Sequence, residues 1–161
     1  MSAPILESAS MEEGFHSLRS YPSIGNFLAY QYITDLNYSS ALKFDEMEFV
    51  VAGPGAVDGI HKCFSNAEAF SEAEIIRKMA KMQESEFERL GLNFRDLWGR
   101  RLQLIDCQNL FCEVSKYTRV SHPDIAGRNG RTRIKQKFTP QPGKISYWYP
   151  PKWGINECIK Y

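Results

Sequence analysis

The stretch Leu18-Arg19-Ser20-Tyr21-Pro22-Ser23-Ile24-Gly25-Asn26-Phe27-Leu28-Ala29-Tyr30-Gln31-Tyr32-Ile33-Thr34-Asp35-Leu36 decides the fold class. Pro22 fixes its own φ and pushes Tyr21 out of the helical region, so residues 21–25 read as a turn. Upstream, residues 12–20 predict a short helix ending near Arg19. Downstream, Ile24, Phe27, Leu28, Tyr32 and Leu36 recur at three- and four-residue steps. That spacing predicts a helix to about Asp35, stopped near Asn37. The local plan is helix, tight turn, helix.

Working outward, the same periodicity returns. Ser71-Glu72-Ala73-Glu74 is a capping box, and behind it Ile76, Ala80, Gln83, Phe87 and Leu90 form the stripe of a long helix that should end at Gly91. Leu102 to Tyr117 is a further helix candidate, with Leu104, Ile105, Leu110, Phe111 and Val114 apolar. Val57 to Phe64 reads as a short helix behind a break at Ala52-Gly53-Pro54-Gly55-Ala56. Residues 44–51 fit either a short helix or an extended piece. No alternating strand pattern stands out, so an all-α domain is expected. The expected organisation is a flexible lead-in over 1–11, a helical domain over 12–126, and a basic, aromatic-containing segment over 127–161 packing on it.

The 161 residues, 43% hydrophobic and 24% charged, suit one domain with a real core and exclude a disordered chain. No apolar run approaches the ~18 residues of a membrane span, and residues 1–10 lack the basic and apolar regions of a secretory signal. Cys63, Cys107, Cys112 and Cys158 form no CxxC pair, so a disulfide framework, a metal site and a cofactor are not expected. The chain reads as intracellular, nuclear if its host is a eukaryote, and not secreted. Charge is divided unevenly: residues 1–113 carry 10 Lys/Arg against 17 Asp/Glu, residues 114–161 carry 10 against 2. A basic final third suggests a polyanion partner; the alternative is that it packs on the acidic part of the same chain. GxxxxGK[ST], GxSxG and HExxH are absent, so the sequence holds no P-loop kinase motif.

Four stretches carry candidate chemistry. The turn at Ser23, Ile24 and Gly25 puts free backbone N–H groups at a helix mouth, where a DNA phosphate would fit; an ordinary turn between packed helices is the plainer reading. Asp58 follows the Gly/Pro-rich turn, where it is either a helix cap or an anion at the floor of a cleft, with His61 and Lys62 one turn on. Asp106, Asn109 and Glu113, at i, i+3 and i+7, gather on one helix face that either meets water or forms a pocket. Arg128, Arg131, Arg133, Lys135 and Lys137 form a basic run, most of them on one side if the segment is extended, suited to DNA phosphates. Lys144, Tyr147, Trp148, Tyr149 and Trp153 follow; the aromatics either stack on unpaired bases or cover the core, and core covering is expected for most.

Leu18-x-x-Tyr21-Pro22-Ser23-Ile24-Gly25-x-x-x-Ala29 resembles the helix-hairpin-helix of the DNA glycosylase superfamily. Val57-Asp58-Gly59-Ile60-His61-Lys62-Cys63-Phe64 resembles that superfamily's catalytic-aspartate segment. A closer similarity, over most of residues 15–140, is to the helical domain named after the 5-hydroxymethyluracil (5-hmdU) DNA kinases, related to the proposed α-glutamyl/putrescinyl-thymine pyrophosphorylases. The resemblance implies a glycosylase-like helical fold with an irregular basic tail, and an enzyme of thymine hypermodification acting on phosphorylated 5-hydroxymethyluracil in DNA. It implies a flipped base, an amine or amino-acid co-substrate and a P-loop kinase partner. It makes Asp58 the catalytic carboxylate. It assigns Asp106, Asn109, Glu113 and His61 to the base or second substrate, and Ser23 to Gly25 with the basic run to phosphates. Phe27 stands where bifunctional glycosylases carry the Schiff-base lysine, so no lyase reaction is implied. The alternative function is a non-catalytic DNA-binding module, a shortened member of the family.

Overall fold

The protein is described here by a computed structural model covering residues 3–128, 130, 132–134 and 139–160. Six α-helices follow in order: α1 (Ala3–Leu6), α2 (Met11–Arg19), α3 (Asn26–Asn37), α4 (Pro54–Cys63), α5 (Glu72–Arg89) and α6 (Leu104–Ser121). Short 3₁₀ turns lie at Ala67–Ala69, Pro151–Trp153 and Asn156–Cys158. Among the described residues the one β-type pairing is an isolated bridge between Leu97 and Arg100. The expected all-α class holds.

Local chemistry explains the boundaries. Ser10 caps α2 through its side chain, and Ser71 and Glu74 close the expected capping box on α5. α5 ends at Arg89, with Gly91 just beyond it in the left-handed region. α4 begins at Pro54, inside the stretch expected to be a break. The reason is positional: proline lacks only an N–H that a first-turn residue would leave unpaired, so Gly53 caps and Pro54 starts the helix. Residues 44–51 are turn and irregular chain.

The most extensive helix pair is α4 on α6, followed by α2 on α3. A Cβ added at Gly59 would lie 2.0 Å from the Phe111 carbonyl oxygen, so α4 meets α6 at backbone distance there. Phe15, Leu18, Tyr30, Ile33, Ile60, Ile76, Leu104 and Phe111 share one core. Ile5 and Met11 belong to it too, so part of the expected flexible lead-in is packed structure.

The face α3 buries is not the expected one. Ala29, Tyr30, Ile33, Thr34 and Asn37 face inward, while Phe27, Leu28, Tyr32 and Leu36 are 39–44% exposed. α3 is apolar nearly all round, and periodicity alone could not choose between two overlapping stripes.

Three side-chain amides tie irregular chain to the body. Asn37 donates to the Phe44 carbonyl (3.1 Å) and accepts from its N–H (3.0 Å). Gln83 does the same at Leu102, and Asn156 at Tyr149. Each amide supplies the paired donor and acceptor that a neighbouring strand would otherwise provide.

Candidate functional site

Because α4 starts at Pro54, Asp58 sits in its second turn rather than at its cap, and points at α6. Its carboxylate is 2% exposed. Oδ2 accepts from Ser115 Oγ of α6 (2.6 Å) and from Lys62 Nζ one turn along α4 (3.0 Å). Oδ1 accepts from the backbone N–H of Arg128 (2.8 Å). Lys62 Nζ also donates to Thr118 Oγ1 (3.1 Å), and Arg119 donates to Ser115 Oγ (2.8 Å). Arg119 Nε is buried and has no partner among the described residues.

A lone buried carboxylate would take up a proton; a paired, hydrogen-bonded one stays charged. Burial pushes the Asp58 carboxyl up. The hydrogen bonds from Ser115, Lys62 and the Arg128 N–H, with the charge of Lys62, outweigh it and hold the group below the ordinary carboxylate range. Asp58 is thus an ionised anchor at neutral pH. Gly127 roofs it: a Cβ there would lie 2.3 Å from Oδ1.

The network forms one wall of a pocket of about 390 Å³ lined by Asp58, His61, Lys62, Glu68, Gly127 and Arg128, among others. His61 Nε2 is 3.4 Å from Glu72 Oε1, and Arg128 pairs with Glu68 at 2.8 Å. In this pocket Lys62 is paired with the shielded Asp58 and Arg128 with Glu68 at the rim, so its charged groups balance.

The structure brings together Asp58, His61 and Arg128 of the expected site residues. Asp106, Asn109 and Glu113 do not line this pocket. Asp106 closes the start of α6 by accepting from the Gln103 N–H (2.8 Å), Asn109 is exposed and accepts from Gln108, and Glu113 is exposed and pairs with Lys116. The α6 face that meets α4 carries Ser115 instead, with Arg119 behind it. The i, i+4 step from Asp58 to Lys62 and the matching step from Ser115 to Arg119 were visible in the sequence as the signal for that pairing. Burial pushes the Cys107 thiol up to about 11 and raises that of Cys112, keeping both protonated.

At the α2–α3 turn, Ser23 has φ +67 and Gly25 caps α3 without a side-chain bond. The first bond into α3 runs from the Ala29 N–H to the Gly25 carbonyl (2.9 Å), so the N–H groups of Asn26, Phe27 and Leu28 lack intrahelical acceptors. Arg133 is exposed; Arg131, Lys135 and Lys137 lie outside the described residues. Also among the described residues, no group of three or more His, Cys, Asp or Glu is placed to hold a metal, and no helix is long and apolar enough to cross a membrane.

Fold and site together define an all-α domain built around a buried aspartate–lysine pair that pins a basic segment. The sequence profile of the family described as "5-hmdU DNA kinase, helical domain" matches residues 1–127, and the chain belongs to that family. The 5-hmdU DNA kinase of Bacillus phage SP10 is 30% identical over 163 residues, covering 94% of this chain and 24% of that protein. The chain thus spans about a quarter of the length of that curated relative. No solved structure matches it.

Proposed function

We propose that this domain holds DNA and receives a base during the modification of 5-hydroxymethyluracil. One observation carries the reading: within a chain of the 5-hmdU DNA kinase helical family, the Asp58 carboxylate clamps the backbone of Arg128, the first residue of the basic run, at the rim of a polar pocket. A pocket of about 390 Å³ falls in the size range that takes a small ligand, and a flipped pyrimidine is such a ligand. The free N–H groups at the start of α3 would take one phosphate and the basic segment others, in a glycosylase-like mode of recognition. Asp58 is then the candidate catalytic carboxylate, stabilising positive charge at the reacting carbon once Gly127 and Arg128 lift from it. An amine or amino-acid co-substrate would meet Glu68 at the mouth. Phosphorylation would fall to a P-loop partner, since this sequence has no such motif.

The saturation of Asp58 by three donors favours a second reading, in which the domain only binds DNA and Asp58 is a positioning residue for Arg128. The test is binding, across a salt series, to duplexes containing thymine or phosphorylated 5-hydroxymethyluracil, with mass spectrometry of the recovered bases. Preference for the modified duplex and a changed base mass when an amine is supplied support the first reading. Preference without a mass change supports the second. Salt-dependent binding to both duplexes without preference or mass change also supports the second, and no binding to either duplex at any salt concentration removes both.

A further inference from the structure

Of the C-terminal aromatics, Tyr149 and Trp153 are half-buried, while Tyr147 and Trp148 lie exposed, contrary to expectation. Trp148 is 75% exposed, Tyr147 49%, and Trp98, on the α5–α6 connection, 50%. Trp98 has φ +53, a backbone conformation that bulky residues rarely adopt. A tight turn holds it there: the Arg100 N–H donates to the Leu97 carbonyl (3.2 Å) and the Gly99 N–H to Asp96 Oδ1 (2.9 Å). Strain used to turn an indole toward water has no explanation in packing.

The rings are also ordered against one another. Trp98 meets Tyr149 edge-on at 6.1 Å, Tyr149 and Tyr147 are parallel within 4° at 6.5 Å, and Tyr149 and Trp153 lie 29° apart at 6.1 Å. Beneath them the support is rigid. Asn156 clamps the backbone of Tyr149, Trp153 Nε1 donates to Glu46 Oε1 (3.0 Å), and the Arg100 guanidinium lies 3.8 Å from the Trp153 ring while pairing with Glu46. Beside the rings, Lys43, Arg100 and Lys152 line a polar pocket with Asp45 and Glu46. Glu46 is engaged by Arg100. Burial pushes the Lys152 ammonium down, opposed by Glu46 and reinforced by Arg100, so an added anion would stabilise its charge.

We propose that Trp98, Tyr147 and Tyr149 form a stacking platform for the unpaired bases of single-stranded DNA, with Lys43 and Lys152 facing the backbone. Parallel exposed rings beside cations suit base stacking and phosphate contact at once, whereas a duplex hides its base faces. A folded protein partner is less suited to a surface whose neighbouring residues 114–161 carry 10 Lys/Arg against 2 Asp/Glu. The platform shares no residue with the Asp58 pocket, so the two readings fail independently.

The test is tryptophan fluorescence of the full chain titrated with oligo(dT) and with a blunt duplex, across a salt series. The expected result is quenching by the single strand at lower concentration than by the duplex. Trp98→Ala should weaken single-strand binding by between about fivefold and a hundredfold. Trp98→Phe should retain most of the affinity, and Trp98→Leu, which keeps bulk at a surface site without a π face, should lose it. Lys152→Gln should lower the salt dependence. Absence of quenching by oligo(dT) at about 0.1 M salt would overturn the proposal, as would equal affinity of Trp98→Leu and Trp98→Phe.

Discussion

Replacing Asp58 by Asn tests the centre of the fold and of the site together. The amide is nearly the same size, so cavity and clash contribute little. Its oxygen can keep the Arg128 N–H, but its NH₂ then faces Ser115 Oγ, which already accepts from Arg119, and Lys62 Nζ, a donor with no use for another. Lys62, whose side chain is 8% exposed, loses its counter-charge and keeps only Thr118 Oγ1 at 3.1 Å. Removing one partner of a buried pair costs about 3–5 kcal/mol; since the pocket admits solvent and Thr118 remains, about 3 kcal/mol is expected. For a domain of this size that is a fall of roughly 6–12 °C in melting temperature. Thermal unfolding followed by circular dichroism reads the effect. Adding Lys62→Met should restore part of the loss by removing the orphaned cation. A single variant melting within about 2 °C of wild type would refute the clamp.

The same carboxylate sets a pH dependence: its folded pKa is depressed, so its stabilisation is present above the ordinary value of 3.8 and is lost as pH falls through the lower folded value. Wild type should therefore lose stability on acidification faster than Asp58→Asn, seen as converging melting curves. Gly59→Ala would set a methyl 2.0 Å from the Phe111 carbonyl and force α4 from α6, at a cost of at least about 1–3 kcal/mol in urea unfolding. Gly127→Ala should displace the residues roofing Asp58 while sparing the helix pair; faster hydrogen exchange at the Arg128 amide than at the α4 and α6 amides checks it. Ser23→Gly should raise stability by about 0.5 kcal/mol, because relief of the φ +67 strain exceeds the added unfolded-state entropy.

What was legible in the sequence follows what local chemistry determines. The α2–α3 turn came from Pro22, and the ends of α5 from Ser71, Glu74 and Gly91, because caps and turns are decided by a few neighbouring residues. The inward face of α3 was not legible, since Phe27, Leu28, Tyr32 and Leu36 are as apolar as the residues that win; only packing against α2 and Phe49 decides. Asp58 stood out for the wrong local reason, as a cap, while its partners Ser115 and Arg128 lie 57 and 70 residues away. The Asp106–Asn109–Glu113 face was correct as a spacing and gave no sign that Asp106 spends its carboxylate on the start of its own helix.

The place of the Asp58 clamp in the sequence gives it a meaning that its chemistry alone does not. Arg128, whose N–H Asp58 holds, is the first residue of the basic run that follows α6. The buried anion therefore fixes the point at which the helical body passes into the segment richest in positive charge. Without that bond, a chain carrying 10 Lys/Arg against 2 Asp/Glu from residue 114 onward would be free to settle on the acidic helices, which carry 17 Asp/Glu against 10 Lys/Arg before that point. Among the described residues Arg128 makes such a contact with Glu68, and it lies on the surface, where an ion pair contributes about 0–1 kcal/mol. The burden of aiming the segment falls on the shielded carboxylate and not on the surface attraction. High salt should weaken the proposed DNA binding through the exposed cations while leaving the clamp, and the position of the segment's first residue, unchanged.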